Sequence, residues 1–346
     1  MRLTIKLILI CLTISISTCV AAQEKSKLIF SLDLIRHGDR TPIKKIPNIL
    51  YDWDLGLGQL TPKGMQQEYD LGVKLRKKYV EEYKLLPEQY HPKTLYVRST
   101  NFDRTLMSAQ SLLLGLYPLG TGSDTLPQKY QPIPIHTLSE ESDPLLIKLD
   151  AKEVQALVKK EVYASPEWQA KELALKKYYP HWTKASGMKI ASLDRVGSLA
   201  DSLYIYQLNN IPIPIFNQDE IKFIIQNGYE VFTLKFKENI IGKETAAPTL
   251  NLIYNYLNDA LQNETSLKYV LLSAHDSNIL AIMSALDAPL NEIPPYASYL
   301  NFSLFETEKK NYIVEISYND KRVFIPGCIK NKCSLTQLKS IIPDPN

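Results

Sequence analysis

The 346-residue chain predicts an α/β fold, a mostly parallel central sheet flanked by helices, with a smaller, mainly helical cap inserted over the active edge of the sheet. Two short apolar runs, Leu28 to Ile35 and Lys268 to Ala274, have the pattern of strands buried on both faces, as in a parallel sheet. Helical periodicity follows each of them along the chain. Between them, from about residue 120 to 250, Pro127, Pro132, Pro134, Pro144, Pro166 and Pro180 punctuate short helical segments rich in Lys and aromatics. The expected division is a leader at 1–22, a core at 23–130 and 251–346, and a cap at 131–250.

The first residues read as an address. Arg2 and Lys6 precede a mostly apolar stretch from Leu7 to Ile16, and Val20-Ala21-Ala22 offers small residues before Gln23. That is the pattern of a cleaved secretory signal, too short for a stable spanning helix. It predicts a secreted or periplasmic protein with no membrane span. Without Arg2 and Lys6, the 40 basic side chains come within one of the 37 acidic ones. Such neutrality gives no support to a nucleic-acid or membrane-surface role.

The strand from Leu28 to Ile35 is broken by one acid, Asp33, and ends abruptly in Arg36-His37-Gly38-Asp39-Arg40. Open α/β sheets bind ligands beyond the carboxyl ends of their strands, and arginine is suited to forked hydrogen bonds to phosphate or carboxylate. The expectation is an anion pocket with a histidine at its centre. After a loop from Ile43 to Leu60, Thr61-Pro62 gives an N-cap and a first-turn proline, opening a helix with an apolar face from Met65 to Val80. Thr94 to Arg98 is a second short strand. Asp103 to Tyr117 is the next helix, which puts Arg104 in a first turn after a strand end, where anions are favoured.

In the cap, Lys152 to Val162 and Trp168 to Tyr178 read as helices. Trp168, Tyr178, Tyr179 and Trp182 form either a stacking surface for a substrate ring or, as their helical spacing favours, local core. The strand Lys268 to Ala274 ends at His275-Asp276, and Ser277 to Leu286 is helical. Leu300 to Phe305 and Tyr312 to Ser317 alternate apolar and polar residues across a turn, as a hairpin does. Beyond the leader only Cys328 and Cys333 remain; their spacing suits one disulfide in an oxidising compartment better than a metal site, which needs more ligands.

The string from Arg36 to Pro42 resembles the histidine phosphatase superfamily, in particular its acid phosphatase and phytase branch, whose signature is R-H-G-x-R-x-P. Val97 to Thr105 resembles the second phosphate-arginine motif of that branch, and His275-Asp276 its late His-Asp motif. Pro294 to Ser298, Pro326-Gly327-Cys328 and the close cysteine pair are similar to the prostatic-type enzymes. The resemblance implies that the three strand ends lie side by side. It also implies that Arg36, Arg40, Arg104 and His275 bind phosphate, that His37 attacks phosphorus and that Asp276 is the general acid.

The expected function is therefore an exported acid phosphatase hydrolysing small phosphate monoesters through a phosphohistidine, with no metal and no other cofactor. Asp276 must be protonated before attack, which fits an acidic optimum. A phytase-like enzyme is the alternative, favoured by Asn278 in His275-Asp276-Ser277-Asn278, with Lys44-Lys45 either serving its further phosphates or, the favoured reading, forming a solvated loop; from another class, a non-catalytic exported anion-binding protein. Arg98 is expected to orient Asp103 or extend the pocket, Asp39 to play a supporting or capping part, and His91, His136 and His181 to lie on the surface or in loops. A homodimer is left open.

Overall fold

The computed structural model describes residues 26–329 and 332–344, so the expected leader lies outside the described residues. The strands are β1 (Ser26–Arg36), β2 (Leu95–Ser99), β3 (Tyr269–Ala274), β4 (Tyr299–Thr307), β5 (Tyr312–Tyr318), β6 (Lys321–Arg322) and β7 (Lys332–Cys333). They form one sheet in the order β2-β3-β1-β4-β5-β6, with β7 also on β5. The pairs β1–β3 and β2–β3 are parallel, and the other pairings are antiparallel. The parallel part is thus confined to the three strands that carry the motifs, and the expected hairpin β4–β5 extends the sheet beyond β1. Arg36 pairs with Ala274 and Ser99 with Ser273, so the three parallel strands end level with one another.

The helices are α1 (Pro62–Arg76), α2 (Asp103–Leu116), α3 (Lys152–Leu157), α4 (Pro166–Lys176), α5 (Tyr179–Ser186), α6 (Leu193–Leu208), α7 (Gln218–Leu234), α8 (Asn239–Leu261), α9 (Asp276–Ala285) and α10 (Leu335–Ile341). Alternation along β1 separates two cores. Phe30, Leu32 and Leu34 join a large cluster with α8, α9 and the cap helices, whereas Ile35 faces α1 and α2. The expected Thr61 cap is present, its side chain accepting from Gly64 N. The acid that interrupts β1 is also explained. Asp33 is buried under α1, where Tyr79 and Tyr269 donate to Oδ2 at 2.8 and 2.9 Å and Asn301 donates to Oδ1 at 2.8 Å.

The cap helices are not a separate body. They share one continuous apolar core with a face of the sheet. The boundary expected at 250/251 falls inside α8, a single helix that packs along α9 and reaches β1, so it marks no break in packing. Helices α6 and α7 cross at Gly197 and Gly228; a Cβ on Gly228 would sit 2.2 Å from that of Ala200, so the close crossing needs glycine there. Trp168, Tyr179 and Trp182 are buried in local core, and Trp182 Nε1 donates to Glu220 Oε1 at 3.1 Å. Cys328 and Cys333 are joined by a disulfide. Among the described residues no helix is long and apolar enough to cross a membrane.

Candidate active site

The level ends of β1, β2 and β3 bring Arg36, His37, Arg40, Arg104, His275 and Asp276 into one cluster. Its backbone is tightly built. A Cβ on Gly38 would lie 2.3 Å from the Gly64 carbonyl oxygen, so only glycine lets the loop after β1 rest on the first turn of α1. Asp39 supports that contact, its carboxylate accepting from the Thr61 hydroxyl at 2.6 Å.

His37 is buried at the centre, and its Nδ1 lies 2.8 Å from the Gly38 carbonyl oxygen. A carbonyl only accepts, so Nδ1 carries the proton and the Nε2 lone pair is left free. Burial, then Arg36, His275, Arg40 and Arg104, hold its pKa well below the ordinary histidine value, so the ring is neutral. His275 stands edge-on at 5.6 Å between ring centroids. Its Nδ1 accepts from Arg104 Nη2 at 3.5 Å and its Nε2 faces the Thr100 hydroxyl at 3.1 Å. Burial, then Arg104, lowers its pKa to about 3, so it too is neutral and in the free protein orients Arg104.

Arg36 Nη2 lies 2.8 Å from Asp276 Oδ2, and Nη1 donates to the Pro294 carbonyl. Burial alone would raise the Asp276 pKa. Arg36, then Arg40 and His275, outweigh it and hold the carboxyl below its ordinary value. The free pocket therefore contains a carboxylate where a general acid is expected. Arg40 grips Asp201 of α6 with both nitrogens, Nη2–Oδ1 at 3.0 Å and Nη1–Oδ2 at 3.2 Å. Burial works against the Arg40 charge, but Asp201 more than offsets it and raises the pKa. Arg104 is lowered to about 10 by burial and then by Arg40. The Nε–H groups of all three arginines are buried without a hydrogen-bond partner among the described residues.

Arg98 and Asn278 resolve differently from expectation, whereas His136 and His181 are exposed, as expected. Arg98 is paired with Asp143, not Asp103, and Asp103 accepts instead from Gln59 Nε2 at 3.1 Å. Asn278 is fully buried; its Oδ1 accepts from His275 N at 3.1 Å and its Nδ2 donates to Leu145 O, so it braces the start of α9 and does not face the pocket. His136 stacks on Tyr96, and His181 lies 2.9 Å from Glu220 at the surface. Two residues were missed. Asp201 lies in a helix with no motif, far from Arg40 in sequence. Tyr296, in the turn before β4, stacks on Arg36 at 4.2 Å; its Pro294-Pro295 setting was visible, but its partner was not.

Two clefts open beside the cluster. One of about 310 Å³ is lined by Arg40, Asp201, Asp276, Tyr229, Phe232 and Ile293 among others. The next, about 780 Å³, shares Ile43, Lys44 and Ser198 with it. Lys44, Lys45, Lys189 and Arg195 line it, and no acidic side chain does.

Comparison with known proteins bears on the family and the fold. Lysosomal acid phosphatase from Xenopus laevis is 30% identical over 348 residues, covering 96% of this chain and 79% of the relative. Human prostatic acid phosphatase is 31% identical over 326 residues, covering 89% and 83%. Among solved structures, the phytase from Hafnia alvei in complex with tartrate superposes with a TM-score of 0.69 at 18% identity, covering 92% of this chain and 96% of that one. At that identity the likeness concerns the fold. The profile of the histidine phosphatase superfamily, branch 2, matches residues 27–319, and the chain belongs to that family.

Proposed function

We propose that the protein is an acid phosphatase that hydrolyses phosphate monoesters through a phosphohistidine on His37. The observation that carries this reading is a neutral imidazole with a free Nε2 among three guanidinium groups whose Nε–H donors are unpartnered. Phosphoryl transfer needs positioning and charge stabilisation above all, and three arginines supply both. His37 attacks phosphorus as the ester oxygen departs, dividing hydrolysis into two displacements. Asp276 protonates that oxygen and then assists the water that attacks the phosphohistidine.

The Arg36–Asp276 ion pair sets the order of events. In the free pocket Asp276 is ionised, so its proton must come with the substrate. A bound phosphate monoanion draws on Arg36, weakens the hold on Asp276 and raises its pKa. At acid pH the ester also carries a proton of its own. Both effects favour an acidic optimum. The relatives named lysosomal and prostatic acid phosphatases support the activity, and the leader pattern with the 328–333 disulfide supports export.

The test is phosphate release from a small aryl phosphate between about pH 4 and 8, in excess chelator, beside His37→Ala. Activity confined to acid pH, indifferent to chelator and abolished by the substitution is expected. A folded protein that binds phosphate without turnover would favour the binding-protein reading.

The basic cleft supports a second reading, in which preferred substrates carry a second anionic group. Lys44, Lys189 and Arg195 have no carboxylate partner within ion-pair distance among the described residues. A phytase from Hafnia alvei solved with myo-inositol hexakis sulphate shares the fold. Replacing Lys189 and Arg195 by Ala should then raise KM for inositol hexakisphosphate and leave the aryl phosphate unaffected.

A further inference from the structure

We infer that the hydroxyl of Tyr296 is a further, uncharged donor to the bound phosphoryl group, with its ring setting the plane of Arg36. The inference rests on the phosphatase reading and adds to it a residue outside the three sequence motifs at the strand ends.

The turn that carries Tyr296 is fastened to the nucleophile's own backbone. Arg36 N donates to Ser298 O at 2.8 Å, Ala297 N donates to His37 O at 3.3 Å, and Arg36 Nη1 donates to Pro294 O. Ala297 takes the left-handed φ of +55° that closes the turn, and Pro295 O accepts from both Ser298 N and its hydroxyl at 3.1 and 2.6 Å. So constrained, the Tyr296 ring lies 4.2 Å from the Arg36 guanidinium and 5.9 Å from the His37 ring. A ring in this position limits the guanidinium to one plane, which matters because a forked donor is selective only when its plane is fixed.

The hydroxyl is the unusual part. Its oxygen is shielded from solvent and has no hydrogen-bond partner among the described residues. A buried phenol normally finds one, since an unmade hydrogen bond is costly. The charges that act on it most are Arg40 and Arg36, followed by Asp201 and Asp39, so it faces the arginine cluster. Burial raises its pKa to about 12, so it keeps its proton and can only donate to an anion. An oxygen held between Arg36 and Arg40 would complete it. Unlike an arginine, such a donor adds no charge and does not raise the electrostatic penalty on protonating Asp276.

The test compares Tyr296→Phe and Tyr296→Leu with the parent chain, using inorganic phosphate as the ligand and two readouts, competitive inhibition and thermal shift. Tyr296→Phe should weaken phosphate binding about tenfold, the effect of losing one hydrogen bond to a charged acceptor. It should leave the phosphate-free Tm unchanged or higher, because no protein hydrogen bond is lost. Tyr296→Leu should weaken binding further, since Arg36 is also released. A lower phosphate-free Tm in Tyr296→Phe, with phosphate affinity within twofold of the parent, would assign the hydroxyl a structural role and overturn the inference. Thermal shift by phosphate needs no turnover, so it remains decisive if the parent chain proves not to be a phosphatase.

Discussion

Arg36 and Asp276 form a half-buried ion pair at 2.8 Å, and this contact holds the Asp276 carboxyl below its ordinary pKa. In the proposed mechanism Arg36 therefore couples substrate binding to acid catalysis.

Asp276→Asn should lower kcat by about 10²- to 10⁴-fold, the usual range for a lost general acid. The loss should be smaller for a nitrophenyl ester, whose leaving oxygen needs little protonation, than for an alkyl phosphate. Equal losses on both substrates would show that Asp276 acts on binding and not on the leaving group.

Asp201 occupies Arg40 with both carboxylate oxygens, so it competes with phosphate for that guanidinium. Asp201→Asn removes a negative charge from the pocket and should tighten phosphate inhibition by roughly tenfold, given how strongly close charges couple in a partly buried site. Weaker inhibition would instead mean that Asp201 positions Arg40 for substrate. Phosphate inhibition constants measured at one pH and ionic strength distinguish the two.

Glu68 of α1 is fully buried, and neither carboxylate oxygen has a partner among the described residues. Burial raises its folded pKa well above 4.5. The folded state then binds a proton that the unfolded state releases, so this contribution is complete below about pH 4.5 and is lost as pH rises toward the folded value. Glu68→Gln keeps the shape without the ionisation. Its Tm relative to the parent should therefore be more favourable near pH 7.5 than near pH 4.5, and a pH-independent difference would contradict the assignment.

The core of the site was legible because its residues sit in short motifs at the ends of apolar strands. Arg36-His37, Arg104 and His275-Asp276 each follow a strand closely, and parallel pairing puts such ends at one edge. What could not be read depends on contacts distant in sequence. Asp201 reaches Arg40 only because α6 folds back over the sheet, and Arg98 finds Asp143 rather than the nearer Asp103. Asn278 suggested a substrate preference by its place in a motif, yet it is spent on capping α9 and holding Leu145. The boundary expected at 250/251 falls inside α8, which runs unbroken through Pro248 and joins the cap to the core.

The central claim is that His37 is the nucleophile, and its most direct measurement is capture of the covalent intermediate. The protein would be mixed with a ³²P-labelled aryl phosphate, quenched in alkali within milliseconds, and assayed for protein-bound label. A phosphoramidate on histidine survives alkali and is released by acid. The account predicts alkali-stable, acid-labile label on the peptide containing His37, present in Asp276→Asn and absent in His37→Ala. Turnover with no protein-bound label, or label that persists in His37→Ala, would contradict it.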